Sequence, residues 1–489
     1  MGARQFESLT YAVRGRVILK HMGSLLAILG LMLLPVMAVA LIYREHGPLV
    51  GYGVAALACI VVGLAMSRIR APSNLLPSEA LVVSALIFSV SSLILAFPMS
   101  RSGLSPLDAF FESVSAITTT GLSCLPTVEM MDASFLFARA WIQWIGGLGI
   151  IVLSIALLMR PGNAAKRLLD WEETEDIVVG ARVFARKVLM VYLLLTAIGV
   201  LAVVLSGAGV FPAVIHALAA VSTGGFSGFD ESIAGFVGRA PRIVLTVLSL
   251  LGAISLPFYL QTFRGKRMAG TGRHIEFVAL LIAGSVTTLL LSLAMESGGD
   301  VPWSEIVLNA PFLALSAQTT TGFSTMSVQD LNSTAKLILV LSMLVGGSVG
   351  STAGGIKLIR VVIFFRMLKM TVVRASLPRH AVAEPALSGH RLDREEIEGS
   401  LLLIVLFVVV VVGSWIPFVS LGYDPLGSLF EVVSATCTVG LSAGLVEPSL
   451  PPLLKAVLCA DMLMGRLEIV AFLVLLYPGT WLGRRAESS

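Results

Sequence analysis

Long apolar runs constrain the fold of this chain more than any other feature. The run "LLIVLFVVVVVGSWIPFVSL" at residues 402–421 has no charged residue. It has the roughly 20 residues that an α-helix needs to cross a hydrocarbon core about 30 Å thick. Similar runs recur along the whole sequence, in which 56% of the 489 residues are hydrophobic and 13% are charged. These features predict an all-α integral membrane protein that crosses the bilayer many times.

Basic residues are distributed unevenly between alternate connecting segments. If every second hydrophilic segment faces the cytoplasm, that side receives most of the 34 Lys and Arg residues, and both termini lie there. The first span is long, lacks a small-residue cleavage site and is followed at once by another span, so we interpret it as a retained helix. The basic clusters border spans, which favours membrane lipid over nucleic acid as a partner. A bacterial-type inner membrane is the expected location.

Motifs for catalysis or for a bound cofactor are absent from the sequence. Cys59, Cys124, Cys437 and Cys459 have neither paired metal-ligand spacing nor a disulfide framework, so we expect small apolar residues. The sequence has no Gly-rich phosphate loop, no Ser/His/Asp set and no HExxH motif. It therefore indicates no enzyme and no organic cofactor.

One polar motif occurs four times between the apolar runs. The copies are "ITTTGLS" ending at Ser123, "VSTGGFS" ending at Ser227, "QTTTGFS" ending at Ser324 and "TCTVGLS" ending at Ser442. Each copy follows a long apolar run and a short apolar segment, and it precedes a second long run. Recurrence in equivalent settings predicts four structural repeats.

The short leading segments, such as residues 106–117, cannot span a membrane and are predicted to be re-entrant half-helices. Each unit is then a helix, a half-helix, a loop and a second helix that returns the chain to the cytoplasm. Four such parallel repeats can surround a central pore, with an N-terminal pair of spans at about 25–43 and 49–66 outside it. The predicted boundaries are 1–77 for this pair, then 78–172, 173–272, 273–397 and 398–489 for pore repeats 1 to 4.

The four motif loops are predicted to form a cation selectivity filter. Non-helical backbone at membrane depth is tolerated where protein buries it or where it lines a cavity. Carbonyl oxygens that point at one axis can replace the hydration shell of a cation. Glycine has no side chain to narrow such a pore. The partially negative C-terminal ends of the half-helices also favour a cation. Close helix packing also uses Thr, Ser and Gly, but fourfold recurrence disfavours that alternative. The predicted filter residues are Thr118, Thr119, Thr120, Gly121, Ser222, Thr223, Gly224, Gly225, Thr319, Thr320, Thr321, Gly322, Cys437, Thr438, Val439 and Gly440.

A second glycine-rich segment follows the third motif loop, in "LVGGSVGSTAGGIKLIRVVIFF" at residues 344–365. Each glycine weakens a helix by about 1 kcal/mol relative to alanine, so a break is expected at residues 346–355. We predict a flexible gating loop below the filter; the alternative is a kinked helix at a tight crossing. The gating residues are Gly346, Gly347, Ser348, Gly350, Ser351, Thr352, Gly354 and Gly355.

The last long run, residues 460–478, is expected to span the membrane with Arg466 and Glu468 inside it. Ionisable residues at this depth usually face a cavity or a partner, so Arg466 is predicted to face the pore and to form part of the gate. The alternative is an ion pair with an acid on a neighbouring helix. Lys357 is either a second pore charge or a side chain that reaches the inner interface.

Glu112 and Glu431 occupy matching half-helix positions in units 1 and 4, where units 2 and 3 have His216 and Leu313. A ring of pore acids would need a carboxylate in all four units. We therefore favour a role in packing or in anchoring the half-helix.

The four motif loops, the segment "GGSVGSTAGGIKLIR" and the segment "GRLEI" together resemble the Trk/Ktr/HKT superfamily of potassium transporters, TrkH type. The resemblance implies one potassium filter per subunit, with glycine at Gly121, Gly225, Gly322 and Gly440. It also implies a gating loop at 346–355 and a pore-facing arginine at Arg466. Because relatives with serine at the first of these glycine positions are more often sodium transporters, the resemblance also implies that Gly121 favours potassium. The resemblance further implies a homodimer that binds a separate cytoplasmic, nucleotide-binding regulatory subunit.

Two segments depart from the family pattern. The second span of unit 2, "RIVLTVLSLLGAISLPFYLQ", lacks the expected paired glycines, and the fourth loop has Cys437 and Val439. Alternatives to gated, channel-like potassium uptake are proton- or sodium-coupled symport, a sodium-permeable transporter of the same family, and a membrane scaffold or enzyme without transport. The absence of an evident carboxylate relay argues against symport.

Overall fold

The computed structural model of the chain describes residues 11–72, 75–158, 177–263, 272–299, 301–376, 385–387, 390–482 and 484–485. Helices dominate these residues, and the fold is all-α, as predicted. Strand β1 (Tyr11–Ala12) pairs in parallel with β4 (Arg484–Arg485), and β2 (Ala386–Leu387) pairs with β3 (His390–Arg391). The β1–β4 pair places both ends of the described chain on the same face of the molecule.

The N-terminal extension consists of α1 (Gly15–Met32), α2 (Leu34–Ile42) and α3 (His46–Ser67). A side chain at Gly23 would collide with the backbone of α3, and one at Gly63 would collide with the backbone of α1. Such close approach at small residues is how membrane helices commonly pack.

Each of the four units begins with a long helix, continues through a half-helix and a loop, and ends with further helix. Unit 1 has α4 (Pro77–Ser100), α5 (Pro106–Ile117) and α6 (Ala133–Leu158). Unit 2 has α7 (Ile177–Leu205), α8 (Val210–Val221), α9 (Ala240–Ala253) and α10 (Leu256–Phe263). Unit 3 has α11 (Gly272–Gly298), α12 (Trp303–Gln318), α13 (Ser333–Leu344) and α14 (Leu358–Ala375). Unit 4 has α15 (Arg394–Ser420), α16 (Pro425–Thr436), α17 (Pro452–Arg466), α18 (Val470–Leu476) and α19 (Pro478–Trp481). The predicted boundary between residues 172 and 173 lies outside the described residues.

The second helix is interrupted in units 2, 3 and 4, whereas in unit 1 it runs without a break through Leu158. Continuous spans were expected in units 2 and 4, and the structure differs there. In unit 2 the break precedes Pro257, which has no N–H for a helical hydrogen bond. In unit 4 Glu468 and Ile469 have φ angles of 54° and 64°, which an α-helix does not contain.

Seven helices in the described part of the chain are long and apolar enough to cross a membrane. They are the two crossings of the extension, the first helix of each unit, and α6. The first helices present apolar side chains outward, as α15 does with Leu402, Val405 and Val409. The chain is therefore a multi-pass membrane protein with a lipid-facing outer surface. All four cysteines are buried and free, as expected.

Candidate functional site

Each half-helix ends in the same backbone turn. In unit 1 the N–H groups of Thr119 and Thr120 donate to the carbonyls of Ala116 (3.0 Å) and Ser115 (2.9 Å), and Thr119 has a φ of 54°. This is a Schellman turn, whose left-handed residue is usually glycine. A left-handed conformation costs a non-glycine residue about 1–2 kcal/mol. Threonine nevertheless holds it in all four units, at Thr119, Thr223, Thr320 and Thr438.

The four motif glycines interlock in one ring. A Cβ atom at any of them would collide with a carbonyl oxygen of the next loop: Gly121 with Gly224, Gly225 with Thr321, Gly322 with Val439, and Gly440 with Thr120. Contact thus passes from loop 1 to loop 4 in chain order and then closes on loop 1. The four loops surround a single axis, which only glycine allows them to approach so closely.

The loops direct their N–H groups back to the half-helices and leave most carbonyls free. In loop 1 the N–H of Thr118 donates to Val114 O at 3.0 Å, and the N–H of Gly121 donates to Ser115 Oγ at 3.1 Å. Within the described residues, no donor reaches the carbonyls of residues 118–120, 319–321 or 437–439. Buried carbonyls without donors are costly, and a cation at the axis would compensate them.

The serine that follows two residues after the glycine ties loops 1 and 4 to a half-helix carboxylate. Ser123 Oγ donates to Glu112 Oε1 at 2.6 Å, and Ser442 Oγ donates to Glu431 Oε1 at 2.7 Å. Both glutamates are fully buried. These contacts support the anchoring interpretation of Glu112 and Glu431 rather than a ring of pore acids.

Unit 2 achieves the same anchor with an imidazole. His216 Nδ1 donates to Pro212 O at 2.7 Å, so Nε2 accepts the hydroxyl of Ser227 at 2.9 Å. Unit 3 has Leu313 at this position, and Ser324 Oγ instead donates to Met326 O. The anchor is therefore present in three of the four units.

Two buried polar side chains on α6 contact the loops and were not predicted. Arg139 Nε lies 3.0 Å from Glu112 Oε2, and its guanidinium lies 3.7 Å from the ring centre of Phe226. One turn further, Gln143 bonds to the backbone of Gly224 and Phe226. The available sequence signal was a pair of polar residues spaced i, i+4 within an apolar span.

The glycine-rich segment of unit 3 is a buried loop between α13 and α14, not a kinked helix. Its two ends are joined by hydrogen bonds from Gly346 N to Ile356 O (2.9 Å) and from Ile356 N to Leu344 O (3.0 Å). Gly354 N donates to Thr320 Oγ1 at 2.7 Å. The loop therefore lies directly against the ring.

The same loop also fills the helix break of unit 2. Ser348 N donates to Ala253 O at 3.1 Å, and Leu256 N donates to Gly350 O at 3.1 Å. Thr352 Oγ1 donates to Gly252 O at 2.9 Å. The loop thus forms hydrogen bonds with backbone groups that the break leaves without helical partners.

Within the loop, Ser351 Oγ donates to Ser348 O, and Gly350 and Gly355 have positive φ angles. Gly347 also lies against the carbonyl of Ala253.

Arg466 is buried at the end of α17 and contacts backbone carbonyls. Its Nη1 donates to Thr352 O at 2.8 Å, and its Nη2 donates to Gly146 O at 3.3 Å. Glu468 instead forms an ion pair with Arg360 at 2.6 Å. Lys357 is also buried, and its Nζ donates to Ala353 O, so it does not reach the inner interface. Two positive side chains therefore contact the loop beside the ring.

Four half-helices thus hold carbonyl-rich loops around one axis, within a bundle whose long helices are apolar enough to cross a membrane. The family model described as TrkH, cation transport protein, matches residues 72–478. The chain belongs to this family, the TrkH type within the Trk/Ktr/HKT superfamily, whose members are named as transporters and not as enzymes.

Curated relatives and a crystal structure match nearly the whole chain. It is 31% identical over 461 residues to an uncharacterized cation transporter of Methanocaldococcus jannaschii, covering 94% of both chains. It is 29% identical over 485 residues to the Trk system potassium uptake protein TrkH of Salmonella typhimurium, covering 95% of this chain and 99% of that one. The crystal structure of the potassium transporter TrkH from Vibrio parahaemolyticus aligns with a TM-score of 0.85 at 27% identity. The alignment covers 96% of this chain and 100% of that one.

Proposed function

We propose that this chain takes up potassium through the axis of the four-loop ring, across a cytoplasmic (inner) membrane. The observation that carries the proposal is the closed ring of Gly121, Gly225, Gly322 and Gly440, in which the carbonyls of loops 1, 3 and 4 have no hydrogen-bond donor among the described residues. Such oxygens can replace the water around a dehydrated cation. The names of the Salmonella and Vibrio relatives support potassium as the cargo. The family resemblance, in which glycine rather than serine at position 121 accompanies potassium transport, supports potassium over sodium.

Potassium flux in an uptake-deficient host tests this function. Gly121→Ser and Gly322→Ser place a side chain against a neighbouring carbonyl, so rubidium uptake is expected to fall at least about tenfold, the loss that about 1.4 kcal/mol of misfit would produce. Gly413→Ser is the matched control, because nothing lies within 4 Å of its Cβ position. Wild-type rubidium flux in the ring variants, at wild-type expression, would contradict the proposal.

The buried loop 346–355 acts as the gate, and Arg466 holds it closed. The hydrogen bonds to Thr320 and Thr352 support this role, since they attach the loop to the ring and to α17. The positive charge also raises a barrier to cations. Arg466→Ala removes the hydrogen bonds and the charge together, so rubidium flux is expected to rise severalfold. A lower flux in a folded Arg466→Ala variant would contradict a closing role.

One observation favours a second candidate, proton-coupled symport. Glu431 Oε2 and Asp461 Oδ2 are buried and have no hydrogen-bond partner among the described residues. Carboxyl groups of this kind can carry protons in transporters. Reversal potentials across a pH gradient separate the two mechanisms. A potential that follows only the potassium gradient rules out symport, and the same measurement with sodium tests sodium permeation or coupling.

The protein acts as a homodimer with a separate cytoplasmic regulatory subunit that binds a nucleotide. The family resemblance supports both partners. Pairing of β1 with β4, together with the basic inner segments, supports two cytoplasmic termini. Cross-linking of the purified chain tests the dimer, and co-purification with a Trk-type subunit, with and without nucleotide, tests the partner. A monomer in native-like lipid would contradict the first claim.

A further inference from the structure

The second loop of the ring is supported differently from loops 1 and 3. In those loops the residue before the glycine is a threonine, whose hydroxyl lies within hydrogen-bond distance of another hydroxyl in the same loop. The two pairs are Thr118–Thr120 at 2.8 Å and Thr319–Thr321 at 2.9 Å. Loop 2 has Gly224 at this position, so it cannot form the pair.

An amide from unit 1 occupies the place of the missing side chain. Gln143, which is fully buried on α6, donates from Nε2 to Gly224 O at 2.5 Å and accepts at Oε1 from Phe226 N at 3.3 Å. Donor and acceptor are both used, which fixes the orientation of the amide. Gln143 therefore forms hydrogen bonds to the two residues that flank Gly225.

Gly224 and Gln143 fit each other sterically. A Cβ atom at Gly224 would collide with the amide of Gln143. Gly224 does not have a positive φ, so its backbone conformation would accept a side chain. The glycine is required by the amide next to it and not by the turn.

No equivalent contact is present in the other units, within the described residues. Units 1, 2 and 4 can be aligned on a glycine of the second helix that lies against a half-helix carbonyl. These glycines are Gly146, Gly252 and Gly465. Three residues before these glycines are Gln143, Ser249 and Met462. Ser249 Oγ donates to Leu245 O within its own helix. The amide contact is specific to loop 2.

We propose that Gln143 is a positioning residue that sets the preference for potassium over sodium. This inference rests on the proposed function. Without the amide, the adjacent Gly224 and Gly225 form the loop segment with the greatest conformational freedom in the ring. That segment can then move inward around the smaller sodium ion, whereas the amide keeps the Gly224 carbonyl at the spacing that suits potassium.

Rubidium and sodium uptake into vesicles that contain the purified chain test the proposal. Gln143→Met keeps the side-chain length and removes both hydrogen bonds. The rubidium-to-sodium uptake ratio is expected to fall about fivefold, equivalent to about 1 kcal/mol, while rubidium uptake persists. Ser249→Ala, the matched control, keeps the wild-type ratio. An unchanged ratio in Gln143→Met, or equal loss of both fluxes together with lower thermal stability, would overturn the proposal.

A compensating pair gives an independent test. Gly224→Thr alone collides with the amide, so both fluxes are expected to fall. Gly224→Thr combined with Gln143→Ala gives loop 2 the threonine of loops 1 and 3, with Ser222 as the facing hydroxyl, and the ratio is expected to recover. A double variant as unselective as Gln143→Met would overturn the proposal. A wild-type chain that takes up no rubidium contradicts the proposed function itself, whereas a selective wild type with an equally selective Gln143→Met contradicts only this inference.

Discussion

Units 1 and 4 carry the same half-helix carboxylate in two different electrostatic settings. Glu112 Oε2 lies 3.0 Å from Arg139 Nε, and both side chains are buried. Glu431 forms no ion pair among the described residues, and Leu458 occupies the position that matches Arg139. The two serine anchors are nevertheless almost identical in length, at 2.6 and 2.7 Å.

The backbone framework of the two units is also the same. Gly146 lies against the carbonyl of Ile117, and Gly465 lies against that of Thr436, four residues before each loop glycine. Ser115 Oγ and Ser434 Oγ accept the N–H of Gly121 and Gly440 at 3.1 and 3.0 Å. Close backbone contacts and hydroxyl anchors, which the two units share, therefore determine the ring geometry. The charge of the half-helix carboxylate is compensated differently in the two units: Arg139 pairs with Glu112, whereas Glu431 has no ion pair among the described residues.

Removing Arg139 should produce the largest difference between the units. Arg139→Leu gives unit 1 the residue of unit 4 and leaves Glu112 buried beside no cation. Breaking a buried pair in this way costs about 3–5 kcal/mol. Thermal unfolding in detergent should show a clear fall in midpoint temperature.

The double variant Glu112→Gln with Arg139→Leu is the control for this prediction. It removes the uncompensated charge and should recover much of the stability, because replacing both partners of a buried pair is tolerated better than replacing one. Equal midpoints for the single and double variants would show that Arg139 acts through packing on Phe226 and not through Glu112.

Placing a methyl group where the second helix meets the half-helix should affect the two units equally. Gly146→Ala and Gly465→Ala both force a Cβ against a carbonyl, and overpacking of this kind costs about 1–3 kcal/mol. Gly149→Ala is the control on the same helix, since its nearest neighbour would be Phe88 at 3.7 Å. If only one of the two variants lost stability, the close helix contact would be required in that unit and not in the other.

The sequence predicted the repeats because repetition is visible without any knowledge of packing. Four copies of Thr-x-Gly-apolar-Ser located every loop that enters the ring, and the glycine-rich run located the break in unit 3. The half-helices were also predicted correctly by their length, as α5 at Pro106–Ile117 shows. These features are local, so the residues concerned are adjacent in the chain.

Contacts between units could not be predicted, because they join residues far apart in sequence. Gln143 and Gly224 belong to different units, and so do Arg139 and Phe226. The break after Arg466 was also missed, because "GRLEI" contains neither proline nor an interior glycine run. There the backbone leaves the helix at Glu468 and Ile469, whose positive φ angles cost energy that tertiary contacts such as the Arg360–Glu468 ion pair offset.

The smallest effect is expected at Glu431. Glu431→Gln keeps an oxygen that can accept from Ser442 Oγ, Ala443 N and Leu445 N, and it breaks no ion pair among the described residues. The loss should stay below about 1 kcal/mol, the value of one ordinary hydrogen bond. Glu112→Gln, the matched change in unit 1, leaves Arg139 uncompensated and should cost several-fold more in the same unfolding experiment.

The Glu431→Gln variant also separates the two transport mechanisms, because it removes a carboxyl without disturbing its hydrogen bonds. If uptake is channel-like, the variant should keep both its rubidium flux and a reversal potential that is insensitive to a pH gradient. If Glu431 carries protons, the wild-type potential should shift with the pH gradient and the variant should lose that shift. A stability loss as large as that of Glu112→Gln would instead mean that Glu431 has a cationic partner, and units 1 and 4 would then be electrostatically alike.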